Sequence, residues 1–196
     1  MSTANILAVY NLANVGDRIE GASWYGTAKK HAEALATQYG IHVDTAAGVI
    51  AALSPRNKWE RNLADAENLV RVFTLDPESV DSVKVCTFGA NKTKAIKILE
   101  TEAQFDTVLD ILSGPKLREF FTCIIGDDID EVCIDGHAYS IWAGDRITLA
   151  NVPKIGAKLR RQIKADYVAV AEQLKLPAYV VQAITWCAWR RINGVG

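Results

Sequence analysis

The sequence lacks most of the features that place a protein quickly. It has four cysteines, Cys86, Cys123, Cys133 and Cys187, and no two of them form a CxxC pair. That spacing argues against an iron–sulfur cluster or a zinc knuckle, so neither a metal nor another cofactor is expected. In a reducing compartment the four thiols are most simply small core residues. No apolar run approaches the roughly 20 residues of a membrane span; the longest, Ala46 to Leu53, has eight. No membrane partner is therefore expected. The N-terminus, Met1-Ser2-Thr3-Ala4-Asn5, lacks the basic-then-apolar order of a signal peptide, which leaves a cytoplasmic address as the expectation. An excess of positive charge is also missing, the net charge being −1. Dedicated duplex binders are usually basic, because neutralising phosphates supplies much of their affinity. Any nucleic-acid role must rest on a local patch.

What is present is an ordinary globular composition, with 49% hydrophobic and 23% charged residues. A chain of 196 residues fits a single domain over 1–196, able to bury roughly 70% of its unfolded surface without disulfide staples. Helical spacing dominates. Tyr25, Ala28, Ala32, Leu35 and Tyr39 recur at three- and four-residue steps and predict a helix over Ser23 to Tyr39, stopped by Gly40. Asp44 or Thr45 is placed to cap the next helix, Ala46 to Leu53, which is apolar nearly all round and so belongs at a core centre. Further helices are expected through Leu63 to Phe73, from Gly89, over Phe105 to Leu112, Lys116 to Ile125, Ala138 to Ala143 and Lys154 to Leu174, and from Pro177 to about Ile192. Only Val80 to Val85 and Val132 to Ile134 read as short strands. The sum is an all-α fold.

Four segments carry chemistry. Ser54, Arg56, Asn57, Trp59 and Asn62 form a polar, aromatic-bearing stretch after the apolar helix. Leu112-Ser113-Gly114-Pro115-Lys116 reads as helix, turn and helix. Free N–H groups at such a helix start, with Lys116 beside them, suit an anion, although Gly-Pro also makes a plain turn. Ile134-Asp135-Gly136-His137 begins a helix. Asp135 there is a good N-cap, and a carboxylate in that place can also stabilise an oxocarbenium-like sugar or deprotonate water. His137 is placed to hydrogen-bond a substrate or simply to pack. On the last helix Gln182, Trp186, Trp189 and Arg190 gather on one side, as a base-stacking and edge-reading set or as aromatic packing with snorkelling arginines.

In order, Val49 to Ser54, Phe88 to Ala95, Leu112 to Lys116 and Ile134 to His137 resemble the motifs of the helix-hairpin-helix DNA glycosylase superfamily of endonuclease III-like plan. The resemblance covers roughly residues 44–145, about half the chain. It implies a two-lobed helical bundle, with the N- and C-terminal helices as one lobe and about 44–130 as the other. It implies a DNA or nucleotide substrate, Asp135 as the catalytic aspartate, and Lys116 as the lysine that attacks the sugar in bifunctional members. His137 would assist them. The residues from Ser54 to Asn62, with Lys92, Lys94 and Gly114, would contact the substrate or its flipped-out base; Gln182 and Trp186 of the last helix, outside the resemblance, would join them as base-stacking and edge-reading residues. The chain is also similar to phage and actinobacterial proteins that share Leu53 to Trp59, Asp135 to Ala138 and Gln182 to Trp186; a phage origin would make the host cytoplasm its address. The hairpin departs from the usual pattern by being about two residues short. Val152 to Leu159 reads closer to that consensus but follows Asp135, whereas the family's hairpin precedes its aspartate. A non-catalytic nucleic-acid-binding module that retained the fold is the alternative reading, and a purely structural helical domain capped by Asp135 is a third.

Overall fold

A computed structural model describes residues 2–194; residues 1, 195 and 196 of the expected 1–196 domain lie outside it. The described chain is all-helical and has no strand. Ten α-helices follow in order: α1 Ser2–Asn11, α2 Val15–Tyr39, α3 Val43–Leu53, α4 Trp59–Leu75, α5 Gly89–Glu100, α6 Phe105–Leu112, α7 Pro115–Ile125, α8 Gly136–Ala143, α9 Ala157–Leu174 and α10 Ala178–Asn193. The chain divides into two compact units. One holds the residues up to Thr27 together with those from Gly126 onward, and the other is Ala28–Ile125.

The first unit is built on α1, α8, α9 and α10 with the start of α2. Its core joins Ile6 and Val9 of α1 to Ile141 of α8, Ile163, Tyr167 and Val170 of α9, and Val181 and Ile184 of α10. Helix α2 starts eight residues before the predicted Ser23. Asn14 and Asp17 explain it by bonding reciprocally: Asp17 N–H donates to Asn14 Oδ1 at 2.8 Å and Asn14 N–H to Asp17 Oδ2 at 2.9 Å. This is a capping box with aspartate at its third helical position. Asp17, 6% exposed, also receives Arg191 Nε at 2.9 Å and Nη2 at 2.7 Å. That ion pair holds the Asp17 carboxyl below the usual aspartate value. Gly21 lies so close to α10 that a Cβ there would sit 2.5 Å from the Ile184 backbone nitrogen and Cα.

The second unit is centred on α3, against which α4, α5, α6 and α7 pack. Every residue from Thr45 to Leu53 is buried, as the all-round apolarity of that helix demands. The helix begins at Val43, and its N-cap is His42, whose ring nitrogen accepts from Asp44 N–H. Asp44 and Thr45 serve elsewhere: Asp44 Oδ2 accepts Phe105 N–H at 3.0 Å and so caps α6, while Thr45 Oγ1 donates to Ala103 O at 2.8 Å. Tertiary proximity redirected both residues.

Neither expected strand forms. Pro77–Ser82 is a 3-10 turn in place of the first half of Val80 to Val85. Val132, Cys133 and Ile134 are all buried, so they lack the in–out alternation of a sheet edge and run as an apolar strap between α7 and α8.

Candidate functional site

The buried strap fixes Asp135 in the first unit. Ile134 O accepts Arg160 Nη1 from α9 at 3.0 Å, and Asp135 follows in extended conformation as the N-cap of α8. Its Oδ1 accepts Ala138 N–H at 2.8 Å, satisfying one of the free donors of the helix start. Its Oδ2 makes no hydrogen bond among the described residues, and the side chain is partly exposed. The carboxylate is thus aimed by one oxygen and available through the other. His137, the second residue of α8, is partly exposed beside it.

Two features shape the surroundings of Asp135. A Cβ on Gly136 would meet Leu149 Cδ2 at 2.6 Å and Val152 Cγ2 at 3.4 Å, so the loop between α8 and α9 lies over the helix start. In the core shared with Ile134 and Ala138, the Tyr167 hydroxyl is buried without a hydrogen-bond partner. Burial pushes its ionisation well up; Thr185 opposes this in part, and the negative charge of Asp135 adds the smallest share. Thr185 itself donates to Gln182 O at 2.9 Å.

In the second unit, Ser113 and Gly114 alone separate α6 from α7. Ser113, with φ 52°, takes a left-handed conformation as the C-cap of α6. Gly114 N–H turns back to Leu112 O at 2.6 Å, and Gly114 O accepts Arg118 N–H at 3.1 Å. Pro115 takes the first helical position, where it forfeits no hydrogen bond. Lys116 follows, exposed, at the second. A helix, a two-residue turn and a helix therefore exist at Gly114. Gly156 instead caps α9 after the long α8–α9 loop, without a preceding helix end to form a hairpin.

The segment after α3 is organised by Asp65, a residue the sequence did not single out. Asp65 is 3% exposed. It accepts Arg61 Nε at 2.7 Å, Cys86 N–H at 2.7 Å and Asn57 Nδ2 at 3.1 Å. The i, i+4 spacing of Arg61 and Asp65 was its only advance signal. Asn62 Nδ2 donates to Ile50 O and Ser54 Oγ to Ala51 O, so both hold the carbonyl end of α3. The Asn57 and Asn62 amide oxygens are buried without a partner. Arg56 has φ 56°, and its guanidinium lies 5.1 Å from the exposed Phe88 ring. Trp59 opens α4 and packs edge-on to His31 and Phe120.

Several expected contact residues have internal partners. Lys92 Nζ donates to Asp81 O at 2.6 Å and Lys94 Nζ to Leu112 O at 3.2 Å. Gln182, 5% exposed, accepts Tyr25 O–H at 2.9 Å through its amide oxygen. Trp186 packs against Trp24 at a 47° tilt, ring centroids 5.2 Å apart, with the Arg190 guanidinium 4.2 Å from its ring. Among the described residues no group of three histidine, cysteine, aspartate or glutamate side chains is placed to hold a metal. No helix among them is long and apolar enough to cross a membrane.

The chain belongs to DUF7178, a family of unknown function whose model matches residues 1–193. No curated protein and no solved structure matches it.

Proposed function

We propose that this protein is a DNA glycosylase-like enzyme, acting on the N-glycosidic bond of a nucleobase or modifying a flipped-out base, with the Asp135 carboxylate at its centre. The observation that carries the reading is the Asp135 carboxylate, one oxygen fixed on Ala138 N–H and the other available, at a helix start. Further support comes from the helix–turn–helix at Gly114, which precedes Asp135 in the chain as a phosphate-binding hairpin would. The reading also draws on the division of the chain into two compact units, one of them Ala28–Ile125. In this reading the available oxygen of Asp135 stabilises the developing sugar cation or takes a proton from the attacking water. Lys116 or His137 assists, and Arg56 with its neighbours contacts the strand.

Asp135→Asn separates chemistry from capping, because asparagine caps a helix about as well as aspartate. Base release from labelled single- and double-stranded oligonucleotides should fall by about 100-fold or more, while the melting temperature stays within a degree or two. Full activity in the variant would refute the role of Asp135. One observation favours a second reading, a nucleic-acid-binding module without chemistry: the Ala138 N–H bond gives Asp135 a structural task that needs no substrate. Salt-dependent binding by the wild-type protein with no base release would establish that reading instead.

A further inference from the structure

Residues 146–165 carry six basic side chains and no acidic one, in a chain whose net charge is −1. The helix that most of them enter makes this unusual. Helix α9 begins at Ala157 with Gly156 as its cap, makes no side-chain cap bond and has no acidic residue in its first turn. Lys158 and Arg160 stand there instead, with Arg161 just beyond, at the end where the helix dipole favours negative charge. Each cation works against the local field, so the arrangement costs stability rather than adding it. Such a cost is retained where another function needs the charge.

The six cations divide by what they do. Arg146 donates to Asn193 O, Arg160 donates to Ile134 O, and Lys164 pairs with Glu131 at 3.1 Å. Lys154, Lys158 and Arg161 are exposed and form no ion pair or side-chain hydrogen bond among the described residues. They run from two residues before the cap into the second turn of α9. Lys92 and Lys94, the lysines the sequence favoured, are by contrast held by their own backbone.

We propose that Lys154, Lys158 and Arg161, with the free N–H groups at the start of α9, form a binding surface for the sugar–phosphate backbone of a nucleic-acid strand. The surface is separate from the Gly114 turn. Three cations spread over eight residues suit a row of phosphates better than one isolated anion. The neighbouring helix positions are Ala157, Gln162 and Ala165, without the large apolar side chains that carry a basic helix into a lipid surface. No aromatic side chain stands between the cations, so the contact reads backbone and not sequence. The same segment is tied to Asp135, because Leu149 and Val152 cover Gly136 and Arg160 holds Ile134 O. A strand bound there passes next to the carboxylate. The inference rests on the nucleic-acid part of the proposed function and does not require catalysis.

The test compares two double variants of the full chain with equal charge change: Lys158→Glu/Arg161→Glu in the surface, and Lys30→Glu/Lys175→Glu at exposed positions outside it. Fluorescence anisotropy with a labelled single strand, a labelled duplex and phosphatidylserine vesicles is followed across a salt series. The surface variant should bind nucleic acid at least about tenfold more weakly and lose between one and two units of log K against log salt slope. The control should change little. The surface variant should also melt about 2–4 °C higher, since glutamate at a helix start obeys the dipole that lysine opposes. Reduced binding with increased stability cannot come from misfolding. Should the glutamates prevent folding, Lys158→Gln/Arg161→Gln removes the charges without reversing them. Equal binding by the two variants would overturn this surface and leave the proposed function standing. No nucleic-acid binding by the wild-type protein, or binding only to vesicles, would overturn both.

Discussion

Gly21 and Gly26 lie five residues apart on α2 and provide a matched test of how closely α2 meets α10. Alanine is favoured over glycine in a helix interior by about 0.8–1 kcal/mol, so propensity alone predicts that both Gly→Ala changes stabilise. At Gly26 nothing lies within 4 Å of a new Cβ, and Gly26→Ala should keep most of that gain. At Gly21 the new Cβ would sit 2.5 Å from both the Ile184 nitrogen and Cα, and 2.8 Å from its Cγ1. Ordinary contacts need roughly 3.5–4 Å, so two helix backbones must part by about 1 Å. Backbone cannot rotate away as a side-chain end can, and overpacking of this kind costs about 1–3 kcal/mol. The cost exceeds the propensity gain, and Gly21→Ala should be destabilising by about 1–2 kcal/mol. In a chain of this size each kcal/mol shifts the melting temperature by about 2–4 °C. The two variants should therefore separate by roughly 4–10 °C in far-ultraviolet circular dichroism melts, on opposite sides of wild type. Stabilisation by Gly21→Ala equal to that by Gly26→Ala would refute the close approach of α2 to Ile184.

Two further outcomes follow from charge and burial. Asp17→Asn should lower stability by about 1–2 kcal/mol at neutral pH, because the buried carboxylate loses its charged bonds to Arg191. The folded-state pKa of Asp17 is lowered, so its stabilisation is complete above the ordinary aspartate range near about pH 4. The gap between wild type and variant should close as pH falls through the lower folded value; a gap unchanged at acid pH, measured by urea unfolding, would contradict the ion pair. Cys86 is exposed while Cys123, Cys133 and Cys187 are buried, so a chromogenic thiol reagent should label Cys86 in the native protein and the others only on unfolding. Burial, reinforced by the charges of Glu20 and Asp17, pushes the Cys187 thiol up to about 12, and rapid labelling at Cys187 would overturn its placement.

The helices were legible where one face repeats. The apolar stretch from Ala46 to Leu53 announced a central helix, and Asp135 before Gly136 announced an N-cap, because both depend on near neighbours in the chain. The first helix, Ser2–Asn11, was not foreseen; it buries only Ile6 and Val9 and carries no strong periodic signal. Val132 to Ile134 looked like a strand because three apolar residues in a row do not reveal whether a partner strand exists. The candidate site divides in the same way. Asp135 and Gly114 were visible as local motifs, whereas the partners of Lys92, Lys94 and Gln182 are backbone and side-chain groups distant in sequence.

The sequence by itself determined that the chain is helical, where most helices stop, and that Asp135 opens a helix, since propensity, capping and period act over a few residues. Only the tertiary structure decided which polar groups remain available. It drew Asp44 away from its own helix to cap α6, made Asp65 the hub of the α3–α4 turn, and left Lys154, Lys158 and Arg161 facing water. A polar side chain binds whichever group the fold brings within about 3 Å, and that proximity is not written in its neighbours along the chain.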